Sequence, residues 1–264
     1  MSQRRDCVLA GMPRATWQYQ ARDNKDADLQ ARLQQIAHKH PRWGVRKAYW
    51  LVRRDGQAVN HKRVQRLWTQ AGLQVRARKH RVYKPPKPQP LLVVATRPGE
   101  VWSLDFVVDA TQTGSKLRIL SVGDDFTRVC LAVHVASAFP AARVQRVLAG
   151  LLAQYAAPAY LRSDNGPEFI ETNLRAWLVA QQVQSALIEP GHPWQNGVRE
   201  SFHSRLRDEL LDGSVFESVA DAQRQLDAWR LVYNEVRPHQ SLGGMTPHTY
   251  QQQWRPAPSP TGED

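Results

Sequence analysis

Only two cysteines, Cys7 and Cys130, stand in 264 residues. That scarcity excludes a disulfide framework and any zinc site built from several thiolates. No apolar run reaches the roughly 18 residues that a membrane-crossing helix needs. Behind Arg4 and Arg5 there is no apolar stretch of signal-peptide length, so the expectation is a cytoplasmic protein. Acid is scarce in one place only. Residues 1–90 hold 5 Asp and Glu against 21 Lys and Arg, whereas residues 91–264 hold 19 against 15. An evenly solvated surface does not segregate charge this way. The split implies a basic first third that neutralises phosphates and a larger remainder with other work.

The boundary is legible. Residues 76–90 carry six basic side chains, then Pro85, Pro86, Pro88 and Pro90, which exclude a helix and favour extended backbone. A basic, proline-rich linker is expected over 76–98. Before it, residues 1–75 read as a small helical module. Leu29, Leu33, Ile36 and Ala37 form one helical stripe. Ala48, Tyr49, Leu51 and Val52 form a second, and Asp55-Gly56 marks the turn after it. Asn60 is placed to cap a third helix that Gly72 ends, with Val64, Leu67, Trp68 and Ala71 facing inward. Lys62, Arg63 and Arg66 fall on its other faces. Two helices, a turn and a basic last helix make a helix-turn-helix candidate, with those three residues as phosphate contacts.

After residue 98 the period changes. Strands are expected at 101–108, 117–123 and 128–135, joined by tight turns as an antiparallel meander. A helix follows over 141–155, then a strand at 159–163. Next come a helix from Pro167, a strand at 184–188 and a long helix from Pro193. Three carboxylates stand out. Asp105 interrupts an apolar strand, where an unpaired charge is costly and normally finds a cation or a metal. Asp164 ends a strand, the place where open α/β sheets bind ligands. Glu200 is read as two turns into the last helix, on a face shared with His203, Ser204 and Arg207. Three converging carboxylates need a cation, and hard oxygen donors select Mg²⁺ or Mn²⁺. Two such ions can activate a hydroxyl and stabilise the leaving oxygen in phosphoryl transfer.

The segments Trp102-Ser103-Leu104-Asp105, Arg162-Ser163-Asp164-Asn165-Gly166-Pro167-Glu168-Phe169 and Asn196 to Leu210 resemble those of OrfB-type insertion-sequence transposases. Asp164 and Glu200 are spaced as the D-D-35-E pattern of that family requires. Tyr233-Asn234, Arg237-Pro238-His239 and Thr246-Pro247 match as well, as do Arg42-Trp43-Gly44 and Asn60-His61-Lys62-Arg63-Val64 upstream. The likeness spans roughly 40–254. It implies an RNase H-like α/β core, a five-stranded mixed sheet with flanking helices, over 99–254. The helical module precedes that core, and a disordered tail follows at 255–264. It also implies a transposase that cuts DNA at element ends and joins the freed 3′-hydroxyl to another phosphodiester. Asp105, Asp164 and Glu200 would be both catalytic and metal-ligating, holding two ions, and Arg207 would hold a phosphate. The partners implied are double-stranded DNA, an upstream OrfA-type protein or a fusion with it, and further copies of the chain on DNA. A catalytically silent DNA-binding protein and a purely hydrolytic nuclease are the rival readings. His203 and Arg199 depart from the family pattern, which most often has asparagine and a small or apolar residue there.

Overall fold

The computed structural model describes residues 3–17, 26–75, 93–189 and 193–256. Most of the basic linker (76–92) and most of the tail (257–264) lie outside the described residues. The chain divides into two compact units, Met1–Val75 and Arg76–Asp264.

The first unit is helical: α1 (Gln3–Leu9), α2 (Arg14–Trp17), α3 (Ala27–Lys39), α4 (Val45–Arg54) and α5 (His61–Gln70). Its core follows the stripes read from the sequence, except that Ala37, Tyr49 and Ala71 are only half-buried. Leu29, Leu33 and Ile36 meet Ala48, Leu51 and Val52, and Val64, Leu67 and Trp68 close the group. Trp43, between α3 and α4, is buried too and stacks on His40 at 3.7 Å. The Asn60 side chain caps α5 by accepting from the Lys62 amide at 2.9 Å. Gly72, at φ 67°, ends it in the left-handed conformation that glycine adopts without steric cost.

The second unit is built on a mixed sheet of five strands: β1 (Val101–Ala110), β2 (Lys116–Asp124), β3 (Cys130–Ala136), β4 (Tyr160–Ser163) and β5 (Gln184–Leu187). Their order is β3-β2-β1-β4-β5. β1, β2 and β3 pair antiparallel, and β4 and β5 join parallel to β1. This is the RNase H-like arrangement. Strand alternation sends Trp102 and Leu104 to one face and Ser103, Asp105 and Val107 to the other. On the first face lie α6 (Ala141–Leu152), α7 (Pro167–Ile170) and α8 (Thr172–Ala180). There Val144, Leu148, Leu151, Phe169, Leu174 and Leu178 pack against Trp102, Leu104, Leu120 and Val122. On the second face lie α9 (Gly197–Glu209) and α10 (Val219–Leu231). Phe202, Leu206, Ala222, Leu226 and Trp229 cover Val107, Leu117, Ile119, Val133 and Val135.

Three local readings needed correction. β3 starts at Cys130, because Arg128 takes a positive φ of 66° in the preceding turn. The helix from Pro167 stops at Ile170, where Glu171 becomes extended. Its carboxylate then accepts from the Leu174 amide at 2.9 Å and starts α8. The last helix begins with a 3₁₀ turn, Pro193–Asn196, and becomes α-helical only at Gly197, so Glu200 lies in its first turn rather than its third.

Beyond α10 the chain passes through a π-helical turn (Val232–Val236) to α11 (Pro247–Gln253). This segment locks onto the second face. The Asn234 side chain accepts from the Cys130 amide and donates to its carbonyl, both at 2.9 Å, at the irregularity between β2 and β3. Arg237 meets Glu209 at the end of α9 with Nε and Nη2 each 2.9 Å from the carboxylate, and both side chains are 6% exposed. Such a fork-on-carboxylate pair fixes direction as well as distance.

Candidate active site

The site gathers around Asp105 on the second face of the sheet. β1 places its side chain opposite Ser121 of β2 and beneath α9. One carboxylate oxygen, Oδ1, accepts from the Phe106 amide at 2.7 Å. The other, Oδ2, accepts from the Asn196 side-chain amide at 3.2 Å, just before α9 begins. His203 Nδ1 stands 3.5 Å from the same oxygen, while its Nε2 shares a 2.8 Å hydrogen bond with Ser121 Oγ. Ser121 Oγ in turn donates to the Asp105 carbonyl at 3.3 Å. Burial, and then the Arg199 and Arg207 guanidinium groups, push the His203 ring down to about 3. His203 is therefore neutral and does not form an ion pair with Asp105. It acts as a hydrogen-bonding prop.

Asp105 itself is pushed up to about 6. Burial is the first cause, and the negative charges of Asp164 and Glu200 add to it, against the Phe106 amide and Arg199. The charges of Asp164 and Glu200, both picked out from the sequence, thus reach Asp105 through space. Asp164 follows the last residue of β4 and is exposed; its Oδ1 accepts from the Gly166 amide at 3.1 Å. Glu200 is exposed on the first turn of α9. Two charges at the solvent edge therefore flank one that is half-buried. Among the described residues, no three His, Cys, Asp or Glu side chains are drawn close enough to hold one ion jointly. What is present is a charge-coupled set of oxygen donors, with a further acceptor beside it. Asn196 Oδ1 is buried and has no hydrogen-bond partner among the described residues. Unneutralised carboxylates, hard oxygen donors and an orphaned amide oxygen together fit a divalent cation.

α9 presents two faces. Glu200, His203 and Arg207 recur at helical spacing toward the site, and Arg207 Nη2 donates to the Val108 carbonyl of β1 at 3.2 Å. Arg199, Phe202, Leu206 and Glu209 point inward as anchors. Behind Asp105, Ser103 Oγ donates to Asp125 Oδ1 at 2.5 Å, and Asp125 forms a buried ion pair with Arg162, which also donates to the Val93 carbonyl. That ties residue 93 of the expected linker to the catalytic unit. Asn196, Ser121 and the Asp125–Arg162 pair were not singled out from the sequence. An asparagine just before a helix carries no signal of its own. A glycine inside an apolar strand, Gly123, does signal a close approach, and Arg199 is what approaches it.

The basic residues of α5 are placed differently from one another. Lys62 is exposed. Arg63 and Arg66 share Asp26: Arg63 Nη2 lies 2.5 Å from Oδ1 and Arg66 Nη2 2.6 Å from Oδ2. Chiefly the hydrogen bond from Arg63 holds the Asp26 carboxyl below its ordinary value.

Comparison with known proteins agrees with this layout. Residues 23–81 match the model of an HTH-like domain, and residues 95–193 and 181–247 match two models described as integrase core domains. An uncharacterized 31.7 kDa protein of insertion element IS407 from Burkholderia multivorans is 38% identical, over 95% of this chain and 90% of that one. An uncharacterized 39.2 kDa protein of insertion element IS476 from Xanthomonas euvesicatoria is 36% identical, over 97% of this chain and 74% of that one. Among solved structures, the cryo-EM structure of the simian T-cell lymphotropic virus intasome with PP2A regulatory subunit B56 gamma matches at a TM-score of 0.53. That match is 12% identical and covers 86% of this chain and 77% of that one; it shows likeness of fold. An RNase H-like core, an HTH-like module and close likeness along nearly the whole length to insertion-element proteins make this chain a member of the insertion-sequence transposases with an integrase core.

Proposed function

We propose that the chain cuts and joins DNA strands at the ends of a mobile element, using divalent ions held by Asp105, Asp164 and Glu200. The observation that carries this reading is the charge coupling of the three carboxylates around half-buried Asp105. A bound pair of Mg²⁺ or Mn²⁺ ions would supply Lewis acidity to the scissile phosphate and lower the pKa of an attacking hydroxyl.

The chain's own residues do the placing. The Asn196 side-chain amide fixes the direction of the Asp105 carboxylate, and His203, donating to Ser121, braces the strand beside it. Asp164 and Glu200, at the solvent edge, stand where a phosphodiester can reach them. Arg207, one turn beyond His203, is the candidate cation for a neighbouring phosphate of the same strand. Among the described residues it holds one backbone carbonyl, which leaves other N–H donors for that contact. In the helical unit, Lys62 is the first candidate for duplex contact. Arg63 and Arg66 would take part by exchanging Asp26 for phosphate. The partners that fit are duplex DNA at the element ends and target, an upstream OrfA-type protein, and further copies of the chain on DNA.

The test is a strand-transfer assay on oligonucleotides bearing the element's ends, some supplied already cut with a free 3′-hydroxyl. Joined product in Mg²⁺ or Mn²⁺, lost in Glu200→Gln while DNA binding persists, is the expected result. Hydrolysis without joining would make the chain a nuclease. Binding without any metal-dependent chemistry would make it a silent DNA-binding protein.

A further inference from the structure

Arg199 is completely buried on the inner face of α9, and none of its three guanidinium nitrogens has a hydrogen-bond partner among the described residues. A buried, unpaired cation ordinarily costs several kcal/mol. Two features accommodate it. The guanidinium lies over the Phe202 ring, 4.6 Å from the centroid. Its flat side rests on Gly123 of β2. A Cβ at position 123 would come within 2.7 Å of Arg199 Cζ and Nη1, and closer still to Nη2. The notch exists because residue 123 has no side chain.

The notch has a definite place. Gly123 pairs with Ser103, and two residues along the same face Ser121 pairs with Asp105. Arg199 also directly precedes Glu200 in the chain. A permanent positive charge therefore sits beneath the floor of the carboxylate site, where hydrocarbon would pack more easily. Its field reaches Asp105 and His203, and also Cys130 and Tyr233.

We propose that Arg199, seated on Gly123, is a fixed counter-charge that weakens the hold of the DNA-free site on divalent ions. It offsets part of the carboxylate charge and repels a cation from behind. Ions then load well only when a DNA phosphate brings its own negative charge and oxygen donors to the site. Arg199 touches neither substrate nor metal; it is a positioning charge acting through the carboxylates. This inference rests on the metal-ligating reading of Asp105, Asp164 and Glu200.

The experiment is calorimetric titration of the full chain with Mn²⁺ in the absence of DNA. Three variants are compared with the wild type: Arg199→Leu, Arg199→Lys, and Arg199→Leu combined with Gly123→Ala, which refills the notch. Both leucine variants should bind Mn²⁺ about tenfold more tightly than the wild type, since a nearby like charge is gone. Arg199→Lys, which keeps the charge, should stay near the wild type. A role confined to packing predicts the opposite sign: removal loosens α9 and weakens binding. If Arg199→Leu does not fold, the notch-filling double variant carries the test. Unchanged or weaker Mn²⁺ binding in a cooperatively melting leucine variant overturns the counter-charge. Absence of Mn²⁺ binding by the wild type instead overturns the metal reading, and this inference with it.

Discussion

The two faces of the central sheet are built from the same strands and do different work. On one, Trp102, Leu104, Leu120 and Val122 meet α6, α7 and α8 in hydrocarbon, with the Arg118–Glu168 ion pair at its margin. On the other, Val107, Ile119 and Val133 form a similar core, but Ser103, Asp105, Ser121 and Gly123 interrupt it at the end nearest the start of α9. The first face needs mainly shape and volume. The second needs each polar atom placed, and it uses Asn196, His203, Asp125 and Arg162 to do so. Stability should therefore be sensitive on the first face and chemistry on the second.

The largest separation is expected at Glu200. Glu200→Gln should lower strand joining by about a thousandfold or more, as removal of a group acting directly in the transition state does. Its melting temperature should barely move, because Glu200 is exposed; calorimetry beside a joining assay reads both.

Leu148→Ala on the dry face should reverse the pattern. It empties volume in a residue that is 1% exposed, and such a cavity costs about 2–5 kcal/mol of stability by denaturant titration. Joining per folded molecule should stay near the wild type.

Asp105→Asn sharpens the contrast through pH. The native Asp105 carboxyl titrates near 6 rather than the ordinary 3.8, so the folded state holds its proton more tightly than the unfolded one. The metal-free wild type then loses stability relative to the variant as pH rises between those values. Below them the two should converge in this respect; above them the variant should lead by roughly 3 kcal/mol. Urea melts across that range with a chelator present measure the gap.

The smallest effect is expected in the helical unit. Asp26→Asn removes the carboxylate charge that Arg63 and Arg66 share and should tighten duplex binding about threefold at low salt, with a steeper salt dependence. Unaltered affinity and salt slope would assign these arginines to holding α3 against α5.

The helical stripes of α3, α4 and α5 and the strand alternation of β1 were plain in the sequence, because burial imposes a period on side-chain type. Asp105 was conspicuous for breaking that period. Arg128 and Glu171 were not foreseen as breaks. A left-handed turn at an arginine and an extended cap at a glutamate are set by neighbours, not by the residue. The supporting atoms around Asp105 were hidden for a related reason. Ser121 lies 16 positions from Asp105, Asn196 lies 91 away, and His203 lies 82 from Ser121. Only the sheet register and the seating of α9 bring them together. The one long-range clue left unread was Gly123, whose missing side chain makes room for Arg199.

The central claim is that Asp105 anchors a divalent ion shared with Asp164 or Glu200. Crystals of the full chain soaked in Mn²⁺ and measured at its absorption edge test it most directly. An anomalous peak bonded to an Asp105 carboxylate oxygen and to one of the other two is the result expected. A peak elsewhere on the molecule, with Asp105 still bare at millimolar Mn²⁺, would contradict it.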